Sequence, residues 1–246
     1  DIETRLKEKR AQLEEWQNKK DPEPQLSEEV YKNRELLKEY KIEAIPFYKA
    51  IDFADRLNDE QRNRLEEALY RMGVLNALIV EEEDRPRIES LDQGTYDTYI
   101  YGSVEHVKNN MLELLNIDNE ENDILFYQKI SNVLSSIGYI SSNEKEASTW
   151  IRENGNFKIG ILEGTITGNY QAKYIGAMSR ERYRMEQEHL LEEICENLQH
   201  ELDVKQEEIR QNNEQITLLH KEEETFPEFQ DLKIAAKEFD QKGHIL

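Results

Sequence analysis

Apolar residues recur at alternating intervals of three and four near both ends of the chain, and this spacing most constrains the fold. In residues 1–20 the recurring positions are Ile2, Leu6, Lys9, Leu13 and Trp16. In residues 180–224 they are Leu191, Ile194 and Leu198, followed by Leu202, Lys205, Ile209, Asn212, Ile216 and Leu219. A heptad spacing places one apolar seam on a helix and is typical of coiled coils. We therefore predict a coiled-coil arm at each end.

Prolines and a change of pattern separate these arms from a middle region. The Asp-Pro-Glu-Pro segment at 21–24 cannot continue a helix, and a second helix is predicted after Ser27, a candidate N-cap. A last helix is predicted for about 228–241, after Pro227. The predicted divisions are an N-terminal arm at 1–40, a globular domain at 41–179, a C-terminal arm at 180–224 and a further arm helix within 225–246.

These divisions predict an antiparallel pairing of the two arms. If residue 40 meets residue 180, the numbers of facing residues sum to about 220, and Leu13 lies close to Ile209. The break at 21–24 then falls opposite Leu198, where the seam of the other arm slips in phase. On the same register Asn33 faces about Gln187, as a polar layer that would fix the register.

The middle region predicts short strands and helices. Residues 42–53 are expected to be extended with a break at Pro46, and 58–72 to form a helix that ends at Gly73. Further expectations are a strand at 74–80, a charged loop at 81–87, a strand at 96–101, helices at 104–115 and 123–137, and strands at 148–151 and 157–167 joined at 154–156. The predicted fold class is α+β, a small mixed α/β globule inserted between two antiparallel coiled-coil arm segments.

Composition and net charge limit the shape of the chain, its ability to bind DNA and its cellular location. Charged residues make up 35% of the chain, and the mean hydropathy is -0.88, so part of the chain must be elongated and solvated. The net charge of -21 opposes DNA binding by the chain as a whole, which leaves only a local patch for such a contact. The single cysteine, the lack of a signal peptide and the lack of a long apolar run predict a reducing, cytoplasmic setting.

One local patch is basic. It consists of Lys173, Arg180, Arg182 and Arg184, and tyrosines at 170, 174 and 183 are interleaved with it. One interpretation is a solvated start of the second arm, with the tyrosines packed on the globule. The other is a weak, non-specific contact with DNA phosphates, and these four residues are our candidate DNA-binding site.

No pattern in the chain predicts catalysis or a bound cofactor or metal. There is no phosphate-binding loop, no Gly-x-Ser-x-Gly motif and no nucleophile paired with a base. The carboxylates at 81–84 lack the spacing of a calcium loop and are interpreted as a solvated loop. Cys195 and His200 are too isolated for a metal site, and packing is the better account of Cys195. We expect no cofactor, and a module that is not itself an enzyme.

Four short motifs of the middle region carry a resemblance to a known family. They are Ile51-Asp52-Phe53, Gly73-Val74-Leu75-Asn76-Ala77, Gly160-Ile161-Leu162-Glu163-Gly164 and Tyr174-Ile175-Gly176. With them the chain resembles the hinge region of the SMC/MukB-like ATPase of bacterial type II Wadjet anti-plasmid systems, and the resemblance covers about 41–184 well. Where the family carries basic residues in the third motif, this chain has Glu163 and Thr165, which argues against a DNA contact at the tip of that hairpin.

The resemblance implies that the chain is the middle of a longer, nucleoid- or plasmid-associated protein with ATPase heads at its far termini. That protein would extrude DNA loops in plasmid defence or chromosome organisation, together with kleisin-like, winged-helix and nuclease subunits. It also implies a homodimer through the globule, for which the candidate interface residues are Phe157, Ile159, Gly160, Ile161 and Gly164. The other interpretation of the glycines of this region is that they form turns and bulges. The alternative function is a scaffold or adaptor whose acidic globule binds a protein partner.

Overall fold

The computed structural model describes residues 1–18, 22–91, 96–101, 106–118, 124–140, 147–226 and 229–243. The chain divides into a globular unit, Asn18–Gln187, and an arm unit made of Asp1–Gln17 and Glu188–Leu246. The arm unit contains helix α1 (Ile2–Asn18) up to residue 17, most of a 49-residue helix (Ala177–Thr225) and a last helix (Phe229–Gly243). The predicted helices at 180–224 and 228–241 are therefore confirmed.

The predicted boundaries at 40 and 180 differ from this division because the second helix, α2 (Glu28–Glu39), packs within the globular unit. Its Leu37 is buried in one cluster with Leu78, Val80 and Ile88. The expected polar layer between Asn33 and Gln187 is wrong for the same reason. Asn33 is fully buried, and its side-chain oxygen accepts a hydrogen bond from the Tyr99 hydroxyl at 2.8 Å.

The seam of α1 is confirmed within the arm unit. Its buried and half-buried positions are Ile2, Leu6, Lys9, Leu13 and Trp16, and every other residue of α1 is exposed. On the long helix, Leu191 and Leu198 are buried. The hydrogen bond between Arg10 and Gln199 joins α1 to the long helix within the arm unit.

The predicted register of the arms is wrong. The Arg10 guanidinium donates a hydrogen bond to the side-chain oxygen of Gln199 at 2.9 Å, a contact whose residue numbers sum to 209 rather than about 220. Ile209, the predicted neighbour of Leu13, is 59% exposed. The register shifts because the arms meet the globular unit at residues 17 and 188, and not at 40 and 180.

Beyond Leu202 the apolar seam of the long helix is open to solvent. Ile209, Ile216 and Leu219 are all at least half exposed. The last helix of the arm unit also carries exposed apolar side chains, among them Phe229, Leu232 and Phe239. A heptad seam of this kind is stabilised when it packs on another helix.

The helices of the globular unit follow their capping residues. The Ser27 hydroxyl accepts from the Val30 N–H at 3.4 Å and caps α2, as predicted. Helix α3 (Asp59–Arg71) begins with a reciprocal capping box between Asn58 and Gln61, and a left-handed Gly73 with φ of 75° follows its end. The predicted helix at 58–72 is confirmed. The remaining helices of the unit are α4 (Arg85–Ser90) and α5 (Ile124–Ser136), and the long helix that starts at Ala177 is α6.

Nine short strands form three sheets among the described residues. They are β1 (Ile45–Pro46), β2 (Ile51–Phe53), β3 (Leu78–Val80), β4 (Tyr99–Tyr101), β5 (Leu115–Ile117), β6 (Gly138–Ile140), β7 (Thr149–Arg152), β8 (Asn156–Ile159) and β9 (Leu162–Thr165). The sheet orders are β1-β3-β4, β2-β5 and β6-β7-β8-β9. The β3–β4 and β6–β7 pairs are parallel, and the other pairs are antiparallel.

One large apolar core joins these sheets to α3 and α5. Ile51 of β2, Leu69 of α3 and Ile130 of α5 are inaccessible to solvent, and all three belong to this core. Phe157 of β8 and Ile175, just before α6, belong to it as well. The mixed α/β fold class is therefore confirmed, with the last sheet and the start of α6 fixed to one core.

Four predicted elements are wrong. The segment at 42–53, predicted to be extended, contains a 3-10 helix (Phe47–Lys49) between β1 and β2. The charged segment at 81–87 is a 3-10 helix (Glu82–Asp84) followed by α4, because Pro86 is well tolerated in a first helical turn. Residues 104 and 105 of the predicted helix at 104–115 lie outside the described residues, and the rest contains a 3-10 helix (Met111–Glu113) and the start of β5, which pairs with β2. The predicted strand at 157–167 folds back on itself as β8 and β9, with the reversal at Gly160.

Candidate dimerisation site

The β8–β9 hairpin carries the residues predicted to form a dimer interface. Ile159 pairs with Leu162, so the turn between the strands consists of Gly160 and Ile161 alone. Gly160 has φ of 57°, a conformation that glycine adopts without strain and that two-residue hairpin turns require at this position. Ile161 is 97% exposed and Leu162 is 64% exposed, so the tip of the hairpin is a small apolar patch.

Strand β9 is the outer strand of its sheet. Among the residues that the structure describes, β8 is its only partner, and the opposite edge of β9 is unpaired. A cross-strand ion pair of 3.1 Å between Lys158 and Glu163 adds to the pairing with β8. An unpaired edge presents backbone N–H and C=O groups that can pair with a strand of another chain.

A glycine next to an aromatic ring shapes this edge strand. A Cβ added to Gly164 would lie 2.5 Å from the ring of Phe157, so the ring occupies the place of a side chain. Phe157 itself is buried in the core, and Ile159 packs partly against that core. Of the five predicted interface residues, Gly160, Ile161 and Gly164 lie in the turn and on the edge strand, whereas Phe157 and Ile159 belong to the inner strand β8.

The predicted basic residues lie around the start of α6, where tyrosine rings surround one of them. The ammonium nitrogen of Lys173 lies 5.5 Å, 5.4 Å and 5.1 Å from the ring centroids of Tyr170, Tyr174 and Tyr183. Such distances give favourable cation–π interactions. The tyrosines that the sequence interleaves with the cations are therefore brought together around Lys173.

The arginines of the cluster lie against the globular unit. The Arg180 guanidinium donates to the carbonyl of Tyr174 at 3.3 Å, and the Arg182 guanidinium donates to the carbonyl of Ala172 at 3.1 Å. Arg184 is half-buried on the same stretch of α6. Contacts within the chain thus occupy part of the hydrogen-bonding capacity of this cluster, and a DNA contact by these residues stays a prediction.

Two adjacent glutamates of α3, which the sequence analysis did not single out, bind the segment that precedes α6. Glu66 is fully buried and accepts backbone hydrogen bonds at its two oxygens, from Lys173 at 2.8 Å and from Ile175 at 2.8 Å. It also accepts from the Tyr174 N–H at 3.2 Å and from the Tyr170 hydroxyl at 2.9 Å. Burial raises the pKa of Glu66, and these hydrogen bonds oppose that rise.

Glu67 binds the other end of the same segment. One of its oxygens accepts from the Thr167 N–H at 2.7 Å and from the Thr167 hydroxyl at 2.6 Å, and the other accepts from the Gly168 N–H at 3.1 Å. Arg71, one turn further along α3, forms an ion pair with it at 3.0 Å. Desolvation raises the pKa of Glu67, but these hydrogen bonds outweigh it, so the pKa lies below its ordinary value.

One sequence signal could have indicated this pair. Asn63, Glu66 and Glu67 follow the i, i+3, i+4 spacing that places residues on one helix face, next to the predicted apolar face of α3. Nothing in the spacing identifies the backbone donors, because these come from a segment about one hundred residues away.

The backbone just before α6 lies very close to the Asp52 side chain. Gly176 has φ of 79°, and a Cβ added there would lie 2.0 Å from a carboxylate oxygen of Asp52. The residue after the Tyr174-Ile175-Gly176 motif begins α6. Only glycine fits this position, because any side chain would collide with Asp52 and strain the backbone.

No other site stands out in the described residues. Within them, no group of three or more His, Cys, Asp or Glu side chains is placed to hold a metal ion. In the same part of the chain, none of the helices has the length and apolar character needed to cross a membrane.

Comparison with known proteins gives structural neighbours only, because neither a protein-family model nor a curated protein matches the chain. The SMC hinge domain of Geobacillus stearothermophilus, crystallised as an asymmetric dimer, aligns at 15% identity and a TM-score of 0.38 over 85% of this chain and 92% of that chain. The Pyrococcus furiosus Smc hinge domain with an extended coiled coil aligns at 16% identity and a TM-score of 0.38, over 96% of this chain and 85% of that chain.

Proposed function

We propose that this chain is a dimerisation hinge of an SMC-like protein, in which the globular unit joins two copies and the arm unit continues as coiled coil. The observation that carries the proposal is the unpaired edge of β9 beside the exposed apolar tip at Ile161 and Leu162. An edge strand of this kind is stabilised by pairing with a second strand, and a two-fold contact uses the same edge in both copies. Such a contact closes on itself and forms no fibre.

The tip residues alone do not supply the affinity of a stable dimer. Burying an aliphatic side chain contributes about 1.5–3 kcal/mol, so two tip residues from each copy give at most about 12 kcal/mol. Association costs roughly 4–15 kcal/mol in lost freedom of motion. Hydrogen bonds between the β9 edges and a total buried area of about 1,200–2,000 Å² are therefore part of the proposal.

The arms are assigned to internal pairing rather than to dimerisation. The seam of α1 is covered within the arm unit, which leaves little apolar surface there for a second chain. The open seam of α6 beyond Leu202 and the apolar face of the last helix suit further coiled coil. We propose that additional helical arm packs on them, as it would in a protein whose arms extend beyond this region.

The wider role rests on the sequence resemblance at 51–53, 73–77, 160–164 and 174–176. On that basis the parent protein is a DNA-loop-extruding ATPase of plasmid defence or chromosome organisation, with kleisin-like, winged-helix and nuclease partners. This chain contributes no catalysis in that proposal, and DNA contact through Lys173, Arg180, Arg182 and Arg184 is weak.

Size exclusion coupled to light scattering tests the dimer. We expect a mass of twice the 29.2 kDa chain at micromolar concentration, falling towards the chain mass on dilution. A chain that stays monomeric at high micromolar concentration would overturn the hinge proposal and favour the scaffold, in which the acidic globular unit binds a different protein.

A further inference from the structure

The segment between β9 and α6, residues 166–176, has no regular secondary structure, yet side chains of one helix accept hydrogen bonds from about half of its backbone N–H groups. Six of its N–H groups donate to side chains of α3. Glu67 accepts from Thr167 and Gly168, and Glu66 accepts from residues 173, 174 and 175. The side-chain oxygen of Asn63 accepts from the Ala172 N–H at 2.8 Å. Along this segment, Ala172 lies between the residues bound by Glu67 and those bound by Glu66. We call residues 166–176 the connector.

The connector differs from the core in how it is held. Thr167 and Gly168 are exposed and are held by the carboxylate of Glu67, whereas Ile166 just before them packs partly against the core. At the other end Ile175 is buried in the core, but its N–H and those of its two predecessors depend on Glu66. Buried N–H groups that lose their acceptor are costly, so the acceptors decide whether this backbone stays closed.

We propose that Glu66 and Glu67 form a latch that holds the connector against α3, and that opening the latch releases the connector while the rest of the core stays folded. The connector would then behave as a separate cooperative unit of low local stability. If two copies pair through β9, as the proposed function requires, the latch also links the interface strand to the start of α6.

The geometry supplies a sharp variant for each carboxylate. Both oxygens of Glu66 accept a backbone N–H at 2.8 Å, so in Glu66→Gln the amide nitrogen must face a donor whichever way it is oriented. In Glu67→Gln the amide meets the same conflict with Thr167 or Gly168 and also loses the ion pair with Arg71. Glu60→Gln is the matched control, since Glu60 is an exposed carboxylate of the same helix that pairs with Arg64.

Amide hydrogen exchange followed by mass spectrometry on the full chain tests the latch. In Glu66→Gln we expect exchange about tenfold faster for residues 170–176, and in Glu67→Gln a similar acceleration for residues 165–169. Exchange of β2 and β7 should stay within twofold of the wild type, and Glu60→Gln should match the wild type throughout. Equal acceleration of connector and core, or no acceleration of the connector, would overturn the proposal.

A second variant keeps the test decisive if Glu66→Gln fails to fold. Tyr170→Phe removes a single donor to Glu66 and leaves the backbone acceptors in place, so a few-fold acceleration confined to the connector is expected. Uniform exchange in this variant would count against the latch. Light scattering on the wild type and on Glu67→Gln reports the dimer separately from the latch. A monomeric wild type would contradict the proposed function. The hydrogen-exchange pattern alone decides whether the latch exists.

Discussion

Replacing Ile161 by glutamate tests dimerisation without disturbing the fold of the monomer. Ile161 is 97% exposed in a two-residue turn, so the substitution removes no contact within the chain and should leave the free energy of unfolding of the monomer almost unchanged. In a two-fold contact through β9, both copies lose the burial of this side chain. At about 1.5–3 kcal/mol each, the loss is roughly 3–6 kcal/mol, which raises the dissociation constant of the dimer about 10²- to 10⁴-fold.

The assay is light scattering across a concentration series, with circular dichroism to verify the helix content. Ile216→Glu is the matched control, because it makes the same chemical change on the exposed seam of α6, in the arm unit. We expect Ile161→Glu to be a folded monomer and Ile216→Glu to dimerise like the wild type. If Ile161→Glu dimerises normally, or if Ile216→Glu is the variant that becomes monomeric, the interface assigned to β9 is wrong.

Three further predictions concern the arm register, the latch and DNA. Counting from the Arg10–Gln199 hydrogen bond places Leu13 near Cys195, so Leu13→Cys should form a rapid intrachain disulfide with the native Cys195 on mild oxidation, seen as a mobility shift on a non-reducing gel. The pair Leu13→Cys and Ile209→Cys in a Cys195→Ser background should not, and preferential crosslinking of that pair would restore the register near 220. The pKa of Glu67 is lowered in the folded state, so its stabilisation is present above its unfolded pKa of about 4.5 and is lost as the pH falls through the folded pKa. Glu67→Gln should therefore cost about 2 kcal/mol at pH 7 in urea titrations and progressively less as the pH falls below about 4.5, and a cost independent of pH would contradict this sign. Fluorescence anisotropy of a labelled DNA duplex should show weak binding that is lost when Arg180, Arg182 and Arg184 are all changed to Glu. The binding should also weaken with salt, because log K falls by about 0.9 per neutralised phosphate for each tenfold rise in salt concentration. Tight, salt-insensitive binding would refute this.

Local signals in the sequence were sufficient for the long helices and their caps. The seam of α1, the N-cap at Ser27 and the stop at Gly73 depend on residues within one or two turns of each other, and the structure confirms all three. The fold class followed from the same evidence, since heptads at both ends and short mixed elements between them have few other solutions. Gly160 was identified from the sequence as a glycine with a special role, but its use as a two-residue turn was not.

Long-range contacts decided the rest. Whether α2 belongs to the arm or to the globular unit depends on its packing against β3 and α4, which the local sequence of α2 cannot reveal. Assigning α2 to the arm made the predicted arm register wrong, because the numbers of facing residues are counted from the residues at which the arms begin. The segment at 104–115 was mistaken for a helix since the pairing of β5 with β2 overrides local propensity.

The candidate site shows the same division. The sequence by itself marked the hairpin glycines and the tyrosines around the basic residues, because turn chemistry and composition are local properties. Only the tertiary structure showed that β9 is the unpaired edge, that Phe157 turns into the core against Gly164, and that the Glu66 and Glu67 carboxylates hold the connector. A carboxylate on a helix face looks solvated in a sequence. Its role is set by the backbone donors that folding brings to it, and here these come from a segment about one hundred residues further along the chain.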